Sequence, residues 1–243
     1  LNQQTADNLS ATKALQANNP LQTEAIFSAI SRFQALLKEY EIEVKAENAS
    51  GIELWNKLND SQRTEIEANF TKYLDLLLEL HEGGISLRDN KAVFSHLLTR
   101  FGLGLSTFDI NLIENDHMVE AYSLDNVQIF RSINFFDYCN YTMLELLSCE
   151  WFVLYERLES VTKKMMEELK LCLEAGKAIR LNVPAHIMQE RFSVPRGVFK
   201  LQHQFCFPLF DQDHRLSGYA ASISVEELDV IDEEKNSLRF LGN

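Results

Sequence analysis

Apolar residues recur at steps of three and four between Leu21 and about Val44, at Ile26, Ile30, Phe33, Leu36, Leu37 and Tyr40. That spacing places them on one face of an amphipathic helix. Asn48 to Gly51 interrupts the run, and a short apolar cluster of Ile52, Leu54, Trp55 and Leu58 follows. A second stripe comprises Ile66, Phe70, Tyr73, Leu74, Leu77 and Leu80. It is preceded by a candidate N-cap at Asp60, carries Glu65 and Glu67 early, and stops at Gly83-Gly84. Ser86 with Asp89 resembles a capping box for a third helix. The stripe of that helix is Val93, Phe94, Leu97, Leu98 and Phe101, and it ends near Gly102 and Gly104. The opening residues are polar and broken by Asn18, Asn19 and Pro20, so a frayed segment or short helix is expected there. Residues 1–105 therefore predict an antiparallel helical unit. Each of its stripes needs a cover, from a neighbouring helix, from the rest of the chain or from a second copy.

The period changes after Gly104. Met118 to Leu124 and Val127 to Ile133 are short runs rich in Val, Ile, Tyr and Phe. Asp125-Asn126 between them predicts a two-residue turn, hence a β-hairpin. Helical spacing returns from about Phe135 to Gly176 and is clearest over Ser160 to Ala175, with Val161, Met165, Leu169 and Cys172 on one stripe. Three strands are expected next: Ala178 to Ile187, Val198 to Phe210 and Leu216 to Val225. The turns between them are Val194-Pro195-Arg196-Gly197 and Asp211-Gln212-Asp213-His214. Residues 226–243 read as an acidic tail. The fold class is thus α+β: an N-terminal antiparallel helical unit, then a five-stranded antiparallel sheet over residues 118–225 with helices on one face.

That order resembles the PAS fold, and local residues strengthen the likeness. Val127-Gln-Ile-Phe-Arg-Ser-Ile-Asn134 resembles a second strand ending in Asn, followed by the aromatic Phe135-Phe136. Asn140-Tyr141-Thr142-Met143-Leu144-Glu145-Leu146-Leu147 resembles the family's Gly-Tyr-Ser/Thr-x-x-Glu-Leu segment, and Trp151-Phe152 its aromatic pair. Asn140 stands where Gly is usual, a change that Asn allows because it also accepts left-handed backbone. Phe207-Pro208-Leu209-Phe210-Asp211-Gln212-Asp213 resembles the end of the fourth strand and its turn, and Gly218-Tyr219 the start of the last strand. A second registration, with Ile133 to Asn140 as the strand, would resemble the MEKHLA branch and gives the same fold. The helical first half resembles no known family.

The resemblance implies a sensory, non-enzymatic role in which sheet and helices enclose a small cavity. Alternation along the fourth strand would put Phe199, Leu201, His203, Phe205, Phe207 and Leu209 on the face toward the helices. His203 would then anchor a small apolar or mixed ligand against Phe199, Phe205, Phe207 and Trp151, unless it is a core histidine bonded to a carbonyl or a Tyr. Arg180 and Asn182 on the third strand, or Arg131 on the second, could fork a carboxylate. They could equally be surface arginines paired with the chain's excess acid. The cofactor is open. The long helix offers no His for haem, and Cys149, in Ser-Cys-Glu-Trp-Phe, lacks the setting of a flavin-reactive cysteine.

Charge and composition narrow the partners. A net charge of −13, from 23 basic and 36 acidic residues, repels nucleic-acid backbones and anionic membranes. No apolar run reaches ~18 residues, so no membrane helix is expected. Four cysteines without a CxxC pair (Cys139, Cys149, Cys172, Cys206) read as core fillers in a reducing, cytoplasmic setting. There is no Walker loop, GxGxxG, HExxH or GxSxG, and the six His have no metal-ligand spacing. The expected role is a sensor or relay, with a homodimer or a signalling protein as partner and any output domain beyond Asn243. The alternative is a ligand-free PAS-like interaction module or regulatory scaffold.

Overall fold

The computed structural model describes residues 20–105 and 110–227. The polar opening segment and the acidic tail lie outside the described residues, except for Pro20 and the last residues of the final strand. Four helices come first: α1 (Pro20–Lys38), α2 (Ala49–Lys57), α3 (Asp60–Glu82) and α4 (Asn90–Phe101). α1 stops before the expected Val44 because Glu41 turns to φ 61 and the chain leaves the helical path. The Ile52–Leu58 cluster is helical. Asn48 caps α2 by accepting the Gly51 N–H at 2.8 Å, and Ile52 and Trp55 are buried.

The cap of α3 is Asn59, one residue earlier than Asp60. Asn59 Oδ1 accepts the Gln62 N–H at 2.9 Å, and Gln62 Oε1 accepts the Asn59 N–H at 3.0 Å. Asp60 becomes the first helical residue, where a carboxylate suits the helix dipole. The cap of α4 is Asp89, which accepts the Ala92 N–H at 3.1 Å; Ser86 only tightens the turn before it. Gly102 ends α4 at φ 64, a conformation that favours glycine.

The second half is one antiparallel sheet. Its main strands are β1 (Met118–Ser123), β2 (Gln128–Arg131), β5 (His186–Glu190), β6 (Val198–Phe210) and β7 (Leu216–Glu227), in spatial order β2-β1-β7-β6-β5. Two-residue strands extend it: β3 (Tyr155–Glu156) pairs with β5, and β4 (Ile179–Arg180) pairs with β6. Between β2 and β4 lie a 3-10 turn (Ile133–Asp137), α5 (Met143–Ser148), α6 (Trp151–Leu154) and the long α7 (Glu159–Ala175). Thr142 and Glu145 of the family-like segment form the capping box of α5. Asn140 is not left-handed; its N–H donates instead to Glu190 Oε1 at 2.9 Å.

The β1–β2 hairpin closes through three residues, not two. The Asn126 N–H donates to Ser123 O, Ser123 N–H donates to Val127 O, and Asn126 takes φ 61. That is a type I turn followed by a left-handed residue. The strand expected over Ala178 to Ile187 is broken into β4 and the start of β5. Pro184 offers no N–H between them, and β6 bends at the same level.

That bend is a β-bulge. His203 pairs with Ile223 and Phe205 with Ser222, leaving Gln204 as the extra residue. Side chains before and after it follow opposite parities. Phe199, Leu201, His203 and Cys206 share the inner face with Glu120, Tyr122, Tyr219 and Ile223. Phe205, Phe207 and Leu209 share the outer face with Val119, Ala121 and Ala220.

Each face has its own cover. α7 lies over the inner face, where Cys172 and Leu169 pack with Tyr122, Cys206 and Tyr219. The N-terminal helices cover the outer face. Phe130 of β2 meets Tyr73 of α3 and Phe94 of α4, both at 5.6 Å between ring centroids, and the Tyr73 hydroxyl donates to Arg131 O. Helical stripes and outer sheet face form one continuous core with Phe207 and Leu209. No helix among the described residues is long and apolar enough to cross a membrane.

Candidate functional site

Between α7 and the inner face lies a cavity of about 50 Å³. β1 supplies Glu120 and Tyr122, β6 supplies His203 and Cys206, and β7 supplies Tyr219 and Ile223. Trp151 of α6 and Met165 of α7 close it from above.

Its walls carry a buried polar chain. Arg131 is fully buried; its Nε lies 3.0 Å from Glu120 Oε1 and its Nη2 donates to Tyr122 Oη at 2.8 Å. Tyr122 in turn donates to Glu120 Oε2 at 2.8 Å, and the guanidinium sits 4.2 Å over the Phe135 ring. Burial opposes charge on Arg131, but Glu120 and Tyr122 together keep it cationic. On the other wall the Tyr219 hydroxyl accepts from Trp151 Nε1 at 2.7 Å and donates to Asn126 Oδ1 at 2.6 Å.

His203 is the unusual member. Its ring stacks on His186 at 5.5 Å and 6° between planes, and its Nδ1 has no hydrogen-bond partner among the described residues. Burial pushes its pKa down to about 3, with His186 and Arg157 adding to the effect. His186 is lowered too, chiefly by burial. Arg157 contacts Met165 Sδ and Trp151 O at 3.4 and 3.5 Å and lies 5.4 Å from the Trp151 ring.

His203 and Trp151 thus do line one cavity, and Arg131 braces its wall. The other expected site residues lie elsewhere. Phe205 and Phe207 are on the outer face, because the Gln204 bulge reverses the parity assumed from strict alternation. Phe199 is inward but further along, against Tyr138 in a separate void of about 10 Å³. Arg180 is exposed on β4, and Asn182 is exposed beyond it, its N–H donating to Glu168 Oε2. Glu120, Tyr122, Arg157 and Tyr219 went unseen. No motif marks them, although Glu120 and Tyr122 alternate with apolar Val119 and Ala121 in β1, which hints at a polar patch on one face. Cys139, Cys172 and Cys206 are buried, Cys149 is half-buried, and all four are free.

No family model matches the chain, and no curated protein matches it. Solved structures do. One is the PAS domain of a protein from Colwellia psychrerythraea, 11% identical, covering 46% of this chain and 86% of that one, with a TM-score of 0.34. Another is a sensory box sensor histidine kinase from Vibrio cholerae, 9% identical, covering 57% of this chain and 93% of that one, with a TM-score of 0.32. The second half is PAS-like in fold. Its curled antiparallel sheet with a helical insert carries that statement. In this PAS-like unit the cavity under α7 is far smaller than the roughly 300–1,000 Å³ of an ordinary ligand pocket.

Proposed function

We propose that this protein is a non-enzymatic sensor. Its PAS-like unit holds a small ligand under α7 and passes the change in packing to the N-terminal helices. The observation that carries this reading is the double engagement of β6. His203 faces the cavity with an unpartnered Nδ1, while Phe205 and Phe207, just beyond the bulge, face the sheet's other side, where Phe207 joins the core shared with the helical layer. A ligand that moved His203 would strain a strand that also packs beneath the helices, and packed interfaces respond to small shifts by changing discrete arrangement.

The cavity's own chemistry supports a non-catalytic role. Its thiol, Cys206, is held well above the usual range by its hydrogen bond with Cys172 and by burial, and His203 is held well below. Thiol and imidazole are both neutral, the reverse of an activated thiolate beside an imidazolium. Native mass spectrometry of the purified chain tests the reading. A retained small-molecule mass, lost in Trp151→Ala, supports sensing. Consistently bare protein supports the second reading, a ligand-free interaction module, which the small cavity volume favours.

A further inference from the structure

Two of the four free cysteines meet beneath the long helix: Cys172 near the end of α7 and Cys206 just past the bulge of β6. They are 0% and 2% exposed, and the Cys206 S–H donates to the Cys172 sulfur. The backbone brings them together from a second direction. Ile179 of β4 stands opposite Cys206 in the sheet, and its N–H also donates to the Cys172 sulfur. As a thiol, Cys172 donates to Lys177 O at 3.6 Å. Tyr122 and Tyr219, stacked with 5.5 Å between ring centroids, pack around the pair.

A sulfur that receives two donors is the better anion of such a pair. The Cys206 hydrogen bond lowers the pKa of Cys172 against the burial that raises it, and the Ile179 N–H adds to the lowering. The same hydrogen bond, with burial, holds Cys206 well above the usual range. Proton loss from the pair therefore leaves Cys172 as the thiolate and Cys206 as its donor. Access separates the two as well. Cys206 lines the 50 Å³ cavity, whereas Cys172 lies behind it. At roughly 15 Å³ per water-sized group, that void takes about three heavy atoms. It admits hydrogen peroxide and excludes a peptide-sized disulfide.

We propose that Cys172 and Cys206 form a dithiol switch: hydrogen peroxide entering the cavity is reduced at Cys206, and the pair closes to a disulfide between α7 and β6. The Cys206 sulfur attacks one peroxide oxygen while its proton passes to the Cys172 thiolate. The O–O bond breaks, and the departing hydroxide takes that proton and leaves as water. Cys206 is then a sulfenic acid. Cys172, again a thiolate, attacks its sulfur; the S–S bond forms, the S–O bond breaks and hydroxide leaves. The proton that Cys172 first released to solvent returns to this hydroxide. Two thiols are thereby oxidised and one peroxide is reduced to two waters. The disulfide stays until a reductant restores the thiols, so this is a modification and not turnover. It goes beyond the sensor reading and holds whether or not the cavity retains a ligand. Sulfurs in hydrogen-bond contact must approach further to bond, which draws the end of α7 onto β6 beside the bulge.

The test uses the whole chain, reduced with a phosphine, freed of it by gel filtration under nitrogen and exposed to a small excess of hydrogen peroxide. Free thiols are counted with maleimide after denaturation, and non-reduced peptide maps are read by mass spectrometry. The count is expected to fall from four to two, with Cys172 and Cys206 in one linked pair, and to recover with reductant. Half-buried Cys149 is the internal reference, and its oxidation should lag at least tenfold behind that of the pair. Cys172→Ala removes the second sulfur and should leave Cys206 as a sulfenic acid that dimedone labels. Cys206→Ala should slow peroxide oxidation of Cys172 at least tenfold. If either variant does not fold, the peptide map and the Cys149 reference in the unaltered chain decide. Four free thiols after peroxide, a linked pair other than Cys172 and Cys206, or oxidation of Cys149 as fast as that of the pair overturns the proposal. So does full reactivity of Cys172 in Cys206→Ala.

Discussion

Arg131 shows how a single residue can hold the inner face together while contributing little net stability. Its ion pair with Glu120 is buried, so the desolvation cost nearly offsets the Coulomb gain. Removing only one partner is another matter, because it strands the other charge. Arg131→Ala should destabilise the fold by about 3–5 kcal/mol in urea unfolding, whereas Arg131→Met with Glu120→Gln should recover more than half of that loss. A double mutant no better than the single would show that the pair does not interact as the geometry implies. His203 acts through protons. Its folded pKa of about 3 lies below the ordinary 6.5, so the unfolded chain takes up a proton that the folded chain refuses. Its contribution is therefore complete above pH 6.5 and is lost as pH falls toward 3, amounting to about 2 kcal/mol by pH 5. His203→Phe keeps the stacking surface for His186 and should show a smaller loss of urea midpoint between pH 7 and pH 5. An unchanged loss would place the acid sensitivity elsewhere.

Among the elements, β6 decides the architecture, and its bulge is also where reading the sequence fails. Strict alternation assigns Phe199 through Leu209 to one face; the extra residue Gln204 splits that row between two cores. Nothing in Gln202-His203-Gln204-Phe205 signals a bulge, since no Gly or Pro marks it. The other failures are similarly local. Helix stripes at three- and four-residue spacing are legible because each buries one face, and the strand runs because their turns carry Asn, Asp and Pro. Caps slip by one residue, as from Asp60 to Asn59, because neighbouring side chains compete for the same backbone N–H groups. The break at Pro184 was foreshadowed by the missing N–H. Which surface covers which stripe depends on contacts between residues far apart in the chain, as Tyr73 and Arg131 are, and no local pattern encodes it. The bulge makes a counter-intuitive prediction. Deleting Gln204 restores plain alternation without moving any core residue to the wrong face, so that variant should fold, losing no more than about 2 kcal/mol. Deleting Cys206 also removes the bulge, but it puts Phe205 on the inner face and Gln204 on the outer, so that variant should be clearly less stable than the Gln204 deletion in urea unfolding followed by circular dichroism. Equal damage from both deletions would contradict the register described here.

At the scale of the molecule, the question is how firmly the helical layer and the PAS-like unit are joined, since a relay needs a junction that can move. One join lies at α5. Lys45 bridges to Thr142 in the parallel sense, Gly51 packs so closely that an added Cβ would stand 2.8 Å from Thr142 Oγ1, and both Glu47 oxygens lie 3.3 Å from the Leu144 N–H. Glu47 is thus a half-buried carboxyl at the contact between the α1–α2 connection and the start of α5. Burial raises its pKa to about 7, with nearby Glu145 adding a little and hydrogen bonds to Thr142, Leu144 and Met143 opposing. The folded value exceeds the ordinary 4.5, so the folded chain holds a proton that the unfolded chain releases. Stability from this site is therefore greatest at low pH and declines as pH rises from 4.5 through 7, by up to about 3 kcal/mol. That slope opposes the one set by His203, and the two overlap between pH 4.5 and pH 6.5, so the intact protein should show a shallow pH dependence there that hides both. Glu47→Gln carries a permanent neutral analogue of the protonated carboxyl. It should raise the urea midpoint at pH 8, leave it nearly unchanged at pH 4.5, and slow amide exchange at Leu144 at the higher pH. A Gln variant that is less stable at pH 8 would mean that the carboxylate is satisfied at this junction, and the join would then tighten with rising pH instead of loosening.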